Sequence, residues 1–135
     1  MERWLVDGMN VVGSRPDGWW RDRRGAMRAL AAELGSFAKE SGASVTVVFD
    51  GRPFPVEASG VKVAFARRGG PNAADDEIAR LVAADRDPRA IRVVTSDAEL
   101  AERVRRHGAE VVSASAFRRL LDERAPASGE CHPAG

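Results

Sequence analysis

Cysteine, tyrosine, histidine and long apolar runs are all scarce in this sequence. Of 135 residues, one is cysteine, two are histidine and none is tyrosine. The single Cys131 cannot close an internal disulfide bond, which is typical of proteins in a reducing compartment. The longest apolar runs, such as residues 45–49, are far shorter than the ~20 residues that cross a bilayer, and the N-terminus shows no signal-peptide pattern. We therefore expect a soluble, cytoplasmic protein with no membrane partner.

An excess of charge of one sign is also missing. The chain has 21 basic and 20 acidic residues, a formal net charge of +1, so no strong overall field attracts nucleic acid or a membrane surface. Only Lys39 and Lys62 are lysines, and all other basic residues are arginines. The planar guanidinium suits phosphate groups, although a composition rich in arginine and alanine is equally typical of a GC-rich genome. Any binding to a polyanion must therefore be local.

Length and composition fit one domain. A chain of 135 residues with 44% hydrophobic residues has enough apolar side chains for one core and no room for a second. The last residues are rich in glycine, proline and serine. We predict a domain over residues 1–124 and a disordered tail over residues 125–135.

Short apolar segments alternate with segments of helical periodicity. The pattern predicts strands at residues 4–6, 44–49, 61–65, 91–95 and 110–112, with the third as an edge strand. It predicts helices at residues 22–41, 74–84, 98–107 and 115–123, and a loop from residue 7 to about residue 18. Such alternation is typical of an α/β sandwich with a mostly parallel sheet and right-handed crossovers.

Acidic residues stand where predicted strands end. Asp7, Asp50 and Asp97 each follow a strand, and Asp75 and Asp76 open a helix. Because ligands of open parallel sheets bind beyond the carboxyl ends of the strands, we expect these side chains to converge there. Clustered carboxylates repel one another unless a cation such as Mg²⁺ or Mn²⁺ neutralises them. Each aspartate taken alone is also explained as a turn former, a helix cap or an acidic first helical turn, Asp97 most easily.

Four sequence blocks carry a family resemblance. They are D-G-M-N-V at residues 7–11, F-D-G at 49–51, N-A-A-D-D-E-I at 72–78 and V-T-S-D at 94–97. In this order and spacing they resemble the NYN domain, in the YacP-like branch of the PIN-like nuclease superfamily. The resemblance covers about residues 3 to 123.

The resemblance implies a Rossmann-like, three-layer fold with a five-stranded sheet of order near 3-2-1-4-5, and metal-dependent cleavage of RNA. Asp7, Asp75 and Asp97 would be the metal ligands, and Asp50 a further acid. Asn10 would orient Asp7 or the scissile phosphate. Asp76, Thr95 and Ser96 would have supporting roles, and the hydroxyl of Ser96 or Thr95 would donate a hydrogen bond to a ligand carboxylate. One position departs from the family pattern, because Ala79 stands where an acidic residue often follows the isoleucine.

These residues predict a metal-dependent endoribonuclease. One or two Mg²⁺ or Mn²⁺ ions would activate the attacking water, so no side-chain nucleophile and no nucleotide cofactor are needed. The two histidines, His107 and His132, are interpreted as structural or incidental. The alternative is an RNA-binding or scaffold module of low catalytic activity on the same fold.

Basic and aromatic residues near the acids are candidates for contacts with single-stranded RNA. Arg67 and Arg68 precede the acidic helix, and Arg15, Trp19, Trp20 and Arg21 follow the first acidic block. A solvated loop explains the first pair equally well, and we expect at least one of the two tryptophans to be a core residue. Three further arginines, at positions 103, 105 and 106, are interpreted as a solvated helix face.

Two other protein classes fit less well. A phosphoacceptor receiver domain needs a lysine on a late sheet loop, where neither Lys39 nor Lys62 lies. A dinucleotide-binding enzyme needs a glycine-rich turn after its first strand, whereas this chain has an acid and one glycine there.

Overall fold

The computed structural model describes residues 2–15, 18–66 and 73–129. The five strands are β1 Arg3–Asp7, β2 Ser44–Asp50, β3 Val61–Ala66, β4 Ile91–Val94 and β5 Glu110–Val112. The five α-helices of the described residues are α1 Gly8–Val12, α2 Arg23–Ser41, α3 Ala73–Ala84, α4 Ala98–Arg105 and α5 Ala114–Gly129. Two short 3-10 turns lie at Trp19–Arg21 and Pro88–Ala90.

The strands form one parallel sheet in the order β3-β2-β1-β4-β5. This confirms the predicted fold class and strand order, with β3 at one edge. The chain moves outward from β1 to β2 and β3, and then returns to place β4 and β5 on the other side of β1. The strand order therefore reverses between β1 and β4, which is where open α/β sheets bind their ligands.

Helices cover both faces of the sheet. Helices α1, α2 and α5 contribute to one buried cluster, in which the rings of Trp4, Phe37 and Phe117 contact one another at 5.2–5.5 Å between centroids. Helices α3 and α4 form the second cluster with Leu5 and Val48. The result is a three-layer sandwich whose central sheet is buried on both sides, as the apolar strands require.

Strand periodicity places the acidic residues on one face. Successive side chains of a strand alternate between faces, so residues two apart share a face. Leu5 of β1 and Val48 of β2 belong to the α3–α4 cluster, and two residues beyond them stand Asp7 and Asp50. Both carboxylates therefore lie at the carboxyl edge of the sheet, on the face that α3 and α4 cover.

The structure differs from the sequence-based prediction in three segments. Residues 8–12, predicted as part of a loop, form helix α1, and Trp19–Arg21 forms a 3-10 turn. A five-residue helix is too short to show periodicity, and its stability comes from burial of Val11 and Val12. Helix α5 continues to Gly129, beyond the predicted end at residue 123, although Pro126 and Gly129 disfavour a helix. Residues 130–135 lie outside the described part of the chain, so the disordered tail remains a prediction.

In the parts of the chain that the structure describes, no helix is both long and apolar enough to span a membrane.

The start of α1 depends on a glycine. A Cβ atom on Gly8 would lie 2.4 Å from Cδ1 of Phe49, whose side chain is fully buried. We expect Gly8→Ala to lower the free energy of unfolding by about 2 kcal/mol, because the ring has no space into which to move. Urea unfolding measures this loss. The double variant Gly8→Ala/Phe49→Leu should recover part of the stability, whereas equal losses in both variants would contradict the proposed clash.

Candidate functional site

Asp7 is a buried carboxylate at the end of the central strand. Its side chain is 4% exposed, and the Thr95 hydroxyl donates a 3.0 Å hydrogen bond to Oδ2. Thr95 directly follows β4, whose Val94 pairs with Val6, so the strand register brings Asp7 and Thr95 side by side. The Thr95 oxygen also accepts a 3.1 Å hydrogen bond from the backbone N–H of Asp97. One hydroxyl thus connects two of the predicted metal ligands.

Asp7 and Asp75 lie in one electrostatic environment. The pKa of Asp7 is raised to about 6, mainly by burial and then by Asp75 and Asp50, while the Thr95 hydroxyl and the Asn10 backbone N–H lower it. The pKa of the Asp75 carboxyl is likewise raised to about 6, mainly by burial and then by Asp97 and Asp50. The acids of β1, β2, α3 and the β4–α4 loop therefore lie close enough for their charges to interact. A cation would relieve this repulsion.

Asp50 and Asp97 each hold the start of a helix. Oδ1 of Asp50 accepts a 3.0 Å hydrogen bond from the backbone N–H of Ala74 in α3. Asp97 is the N-cap of α4, where Oδ1 accepts a 2.9 Å hydrogen bond from Leu100 N–H. The capping role considered for Asp97 is thus present in the structure. Each carboxylate uses Oδ1 in this way, and no other described residue donates a hydrogen bond to its Oδ2.

Asn10 and Ser96 fasten the loop between β4 and α4. Oδ1 of Asn10 accepts a 2.8 Å hydrogen bond from Ser96 N–H. Oγ of Ser96 accepts a 2.9 Å hydrogen bond from Ala114 N–H at the start of α5. The structure therefore joins Asn10 to the backbone of this loop, and of the two hydroxyl residues only Thr95 contacts a predicted ligand carboxylate.

Arg103 is a residue of this site that sequence reasoning missed. Interpreted as part of a solvated helix face, it is indeed partly exposed, but it also forms a 2.9 Å ion pair with Asp76 and lowers the pKa of Asp75. The exposed Asp76 therefore has a cationic partner. Since Arg103 is 27 residues from Asp76 in sequence, only the contact between α3 and α4 reveals it. No sequence pattern predicts this ion pair, because it depends on the packing of α3 against α4.

The donor set fits a hydrated magnesium or manganese ion better than a closed metal cage. Among the described residues, no three His, Cys, Asp or Glu side chains are arranged to hold one metal ion directly. The candidate donors are all carboxylate oxygens, two of them on groups whose pKa is raised. Mg²⁺ usually keeps several water ligands and binds through one or two carboxylates, which agrees with a looser arrangement. Cys131 and His132 lie outside the residues that the structure describes.

The predicted RNA contacts divide into three groups. Arg15 forms an ion pair with Asp122 of α5, and Trp19 packs against the larger buried cluster. Trp20 is the exposed one, at 60%, and the Arg21 guanidinium lies 6.0 Å from the centre of its ring. Arg67 and Arg68 lie outside the described residues. Of this set, Trp20 and Arg21 are available to a ligand.

Comparisons with known proteins identify the family and agree with the fold. The family model described as a YacP-like NYN domain matches residues 4–130. Two crystal structures of Rae1 (YacP) from Bacillus subtilis are similar, both with a TM-score of 0.76. One covers 100% of this chain and 86% of its own at 27% identity. The other, a tryptophan-to-leucine variant, covers 99% and 87% at 26% identity. A search among curated proteins gave no match. This chain belongs to the YacP-like NYN domain family, a family of nuclease-like, RNA-related domains.

Proposed function

We propose that this protein is a metal-dependent endoribonuclease that cleaves single-stranded RNA. The observation that carries the proposal is the convergence of Asp7 and Asp75 at the point where strand order reverses, with burial and neighbouring acids raising the pKa of both. Carboxylates whose pKa is raised by burial and by neighbouring acids are typical of functional sites. Family membership supports the same reaction class.

Asp7, Asp75 and Asp97 would hold one or two Mg²⁺ or Mn²⁺ ions. A bound ion of this kind lowers the pKa of a coordinated water and stabilises charge on phosphoryl oxygens. The Thr95 hydroxyl orients Asp7, and Asn10 holds the backbone of the loop that carries Asp97. The Oδ2 atoms of Asp50 and Asp97 would accept hydrogen bonds from metal-bound water, and Arg103 would supply positive charge close to Asp75 for a phosphate group.

Substitution of Asp75 tests the proposal. We expect Asp75→Asn to reduce Mn²⁺-dependent cleavage of single-stranded RNA by roughly 10² to 10³-fold, because a charge that stabilises the reacting centre is lost. Asp87→Asn is the matched control, since Asp87 is exposed and precedes β4 at the opposite edge of the sheet. The assay is run with Mn²⁺ and with EDTA. Wild-type rates in a folded Asp75→Asn protein would contradict the assignment.

A second candidate function is an RNA-binding or scaffold module of low catalytic activity. The hydrogen bonds that Asp50 and Asp97 accept at the starts of α3 and α4 favour it, because helix capping alone would explain the presence of these two acids. RNA binding without Mn²⁺-dependent cleavage by the wild-type protein would select this function.

A further inference from the structure

Five arginines, four in or just before the first turns of α2 and one just after β2, have no acidic partner among the described residues. Arg21, Arg23, Arg24, Arg28 and Arg52 are all exposed, and no carboxylate among the described residues lies within ion-pair distance of any of them. Elsewhere in the described chain ion pairing is common. The arginines at positions 3, 15, 80, 92, 103, 106 and 118 all contact an acid. The exposed arginines at positions 86, 89, 105 and 119 also have no acidic partner among the described residues. The arginines near α2 differ from them because Arg24 and Arg28 adjoin the same aromatic ring.

Two of these guanidinium groups are held in place by an aromatic ring. Arg24 and Arg28 lie 4.8 and 5.0 Å from the centre of the Phe54 ring. Arg28 also donates from Nε and Nη2 to the Pro55 carbonyl, at 3.3 Å each. Since both cations adjoin one ring, like charges are kept close together and partly preorganised. Such an arrangement is unfavourable in isolation and becomes favourable when a polyanion binds.

This arginine surface adjoins the acidic site. Arg52 follows Asp50 by two residues, so their Cα atoms are at most about 7 Å apart. The Phe54 ring lies 5.5 Å from Phe65 of β3, which in turn lies 5.9 Å from Phe49. Phe49 belongs to the cluster on the α2 face, whereas Asp50 lies on the α3 face. The surface and the acids therefore flank the carboxyl end of β2 from opposite faces.

We propose that the five arginines, with Phe54 and Trp20, bind the phosphate backbone of single-stranded nucleic acid on its way to the acidic site. Guanidinium groups pair with phosphates, and the exposed Trp20 ring offers a platform for an unpaired base. An exposed aromatic ring beside arginines favours a single-stranded nucleic acid over a lipid surface or an acidic protein. This inference rests on the proposed function in one respect, namely that the bound nucleic acid leads to the acidic site. Binding to the arginines itself requires no cleavage.

The test compares two double variants that remove equal charge. In EDTA, we expect Arg24→Gln/Arg28→Gln to weaken binding of a fluorescein-labelled single-stranded oligoribonucleotide about tenfold, and to reduce the slope of log K against log salt by about 1.4, the value for two lost phosphate contacts. The control, Arg86→Gln/Arg89→Gln, removes two exposed arginines that precede β4 at the opposite edge and have no acidic partner among the described residues. It should bind like the wild type.

Further outcomes keep the proposal falsifiable. The charge-conserving variant Arg24→Lys/Arg28→Lys should retain most of the affinity, which separates loss of charge from loss of fold if the glutamine variant unfolds. Wild-type affinity and salt slope in a folded glutamine variant would overturn the proposal, as would an equal loss in the control. Binding to phosphatidylserine vesicles without binding to RNA would also overturn it. If the wild type does not cleave RNA but Arg24→Gln/Arg28→Gln binds it tenfold more weakly than the wild type does, the nuclease function is overturned and the binding role of this surface is supported.

Discussion

Asp7→Asn is expected to abolish metal-dependent RNA cleavage while making the metal-free protein more stable at neutral pH. The carboxylate is buried, and its charge is opposed by burial and by Asp75 and Asp50. The asparagine side chain has nearly the same shape, and its carbonyl oxygen still accepts the hydrogen bond from Thr95. We expect a loss of cleavage of roughly 10³-fold, because a proposed metal ligand is removed.

The direction of the stability change follows from the pKa of Asp7. Burial raises this pKa from 3.8 to about 6, so between these pH values the folded protein retains a proton that the unfolded chain has released. Stability of the wild type should therefore fall as pH rises from about 4 to about 6. Above the folded-state pKa the full cost, about 3 kcal/mol, is present. Asp7→Asn removes this cost and should be up to about 3 kcal/mol more stable than the wild type at pH 7.5.

Urea unfolding at pH 4.5, 6 and 7.5, with and without Mn²⁺, measures both effects. Without metal, the two proteins should differ little at pH 4.5 and most at pH 7.5. The free energy of unfolding of Asp7→Asn should still decline as pH rises, but less steeply than that of the wild type, because the pKa of Asp75 is also raised. Mn²⁺ should stabilise only the wild type appreciably. A variant that is less stable than the wild type at pH 7.5 would show that the Asp7 charge is already compensated in the metal-free fold.

Thr95→Val is expected to destabilise the protein by about 3 kcal/mol at pH 8 and by less at pH 5. Valine fills the same volume but supplies neither the hydrogen bond to Asp7 nor the acceptor for Asp97 N–H. A hydrogen bond to a buried charge contributes about 1.5–3 kcal/mol, and the unpaired N–H adds to the loss. The hydroxyl lowers the pKa of Asp7, so its removal raises that pKa above about 6. The penalty therefore grows as pH rises and Asp7 ionises.

Thr95→Ser is the matched control, because it keeps the hydroxyl and removes only a methyl group. It should retain the wild-type dependence of stability on pH, whereas Thr95→Val should show a steeper decline between pH 5 and 8. Cleavage by Thr95→Val should fall about 10- to 100-fold, as expected for a residue that orients a metal ligand. A destabilisation equal at both pH values would indicate a packing effect without a role in holding the Asp7 carboxylate.

The sequence predicts the strands and most helices because their hydrophobic patterns lie within short segments of the chain. The apolar, β-branched residues of β2 and the three-and-four spacing of α2 are visible within a window of ten to twenty residues. Helix α1 was missed for the opposite reason, because Gly8 and Val11 form a helix by packing against distant residues such as Phe49. Arg103 was missed likewise, since its partner lies on another helix.

The amino-acid sequence by itself determined the alternation of strands and helices, the acids at strand ends and the family blocks at residues 7–11, 49–51, 72–78 and 94–97. Residue type and spacing along the chain carry that information. Only the tertiary structure decided which oxygen of each acid is engaged, that Thr95 connects Asp7 to Asp97, and that the α2 arginines have no acidic partner in the described chain. These properties depend on distances between side chains that are far apart in sequence, and folding sets those distances by burying the two faces of the sheet.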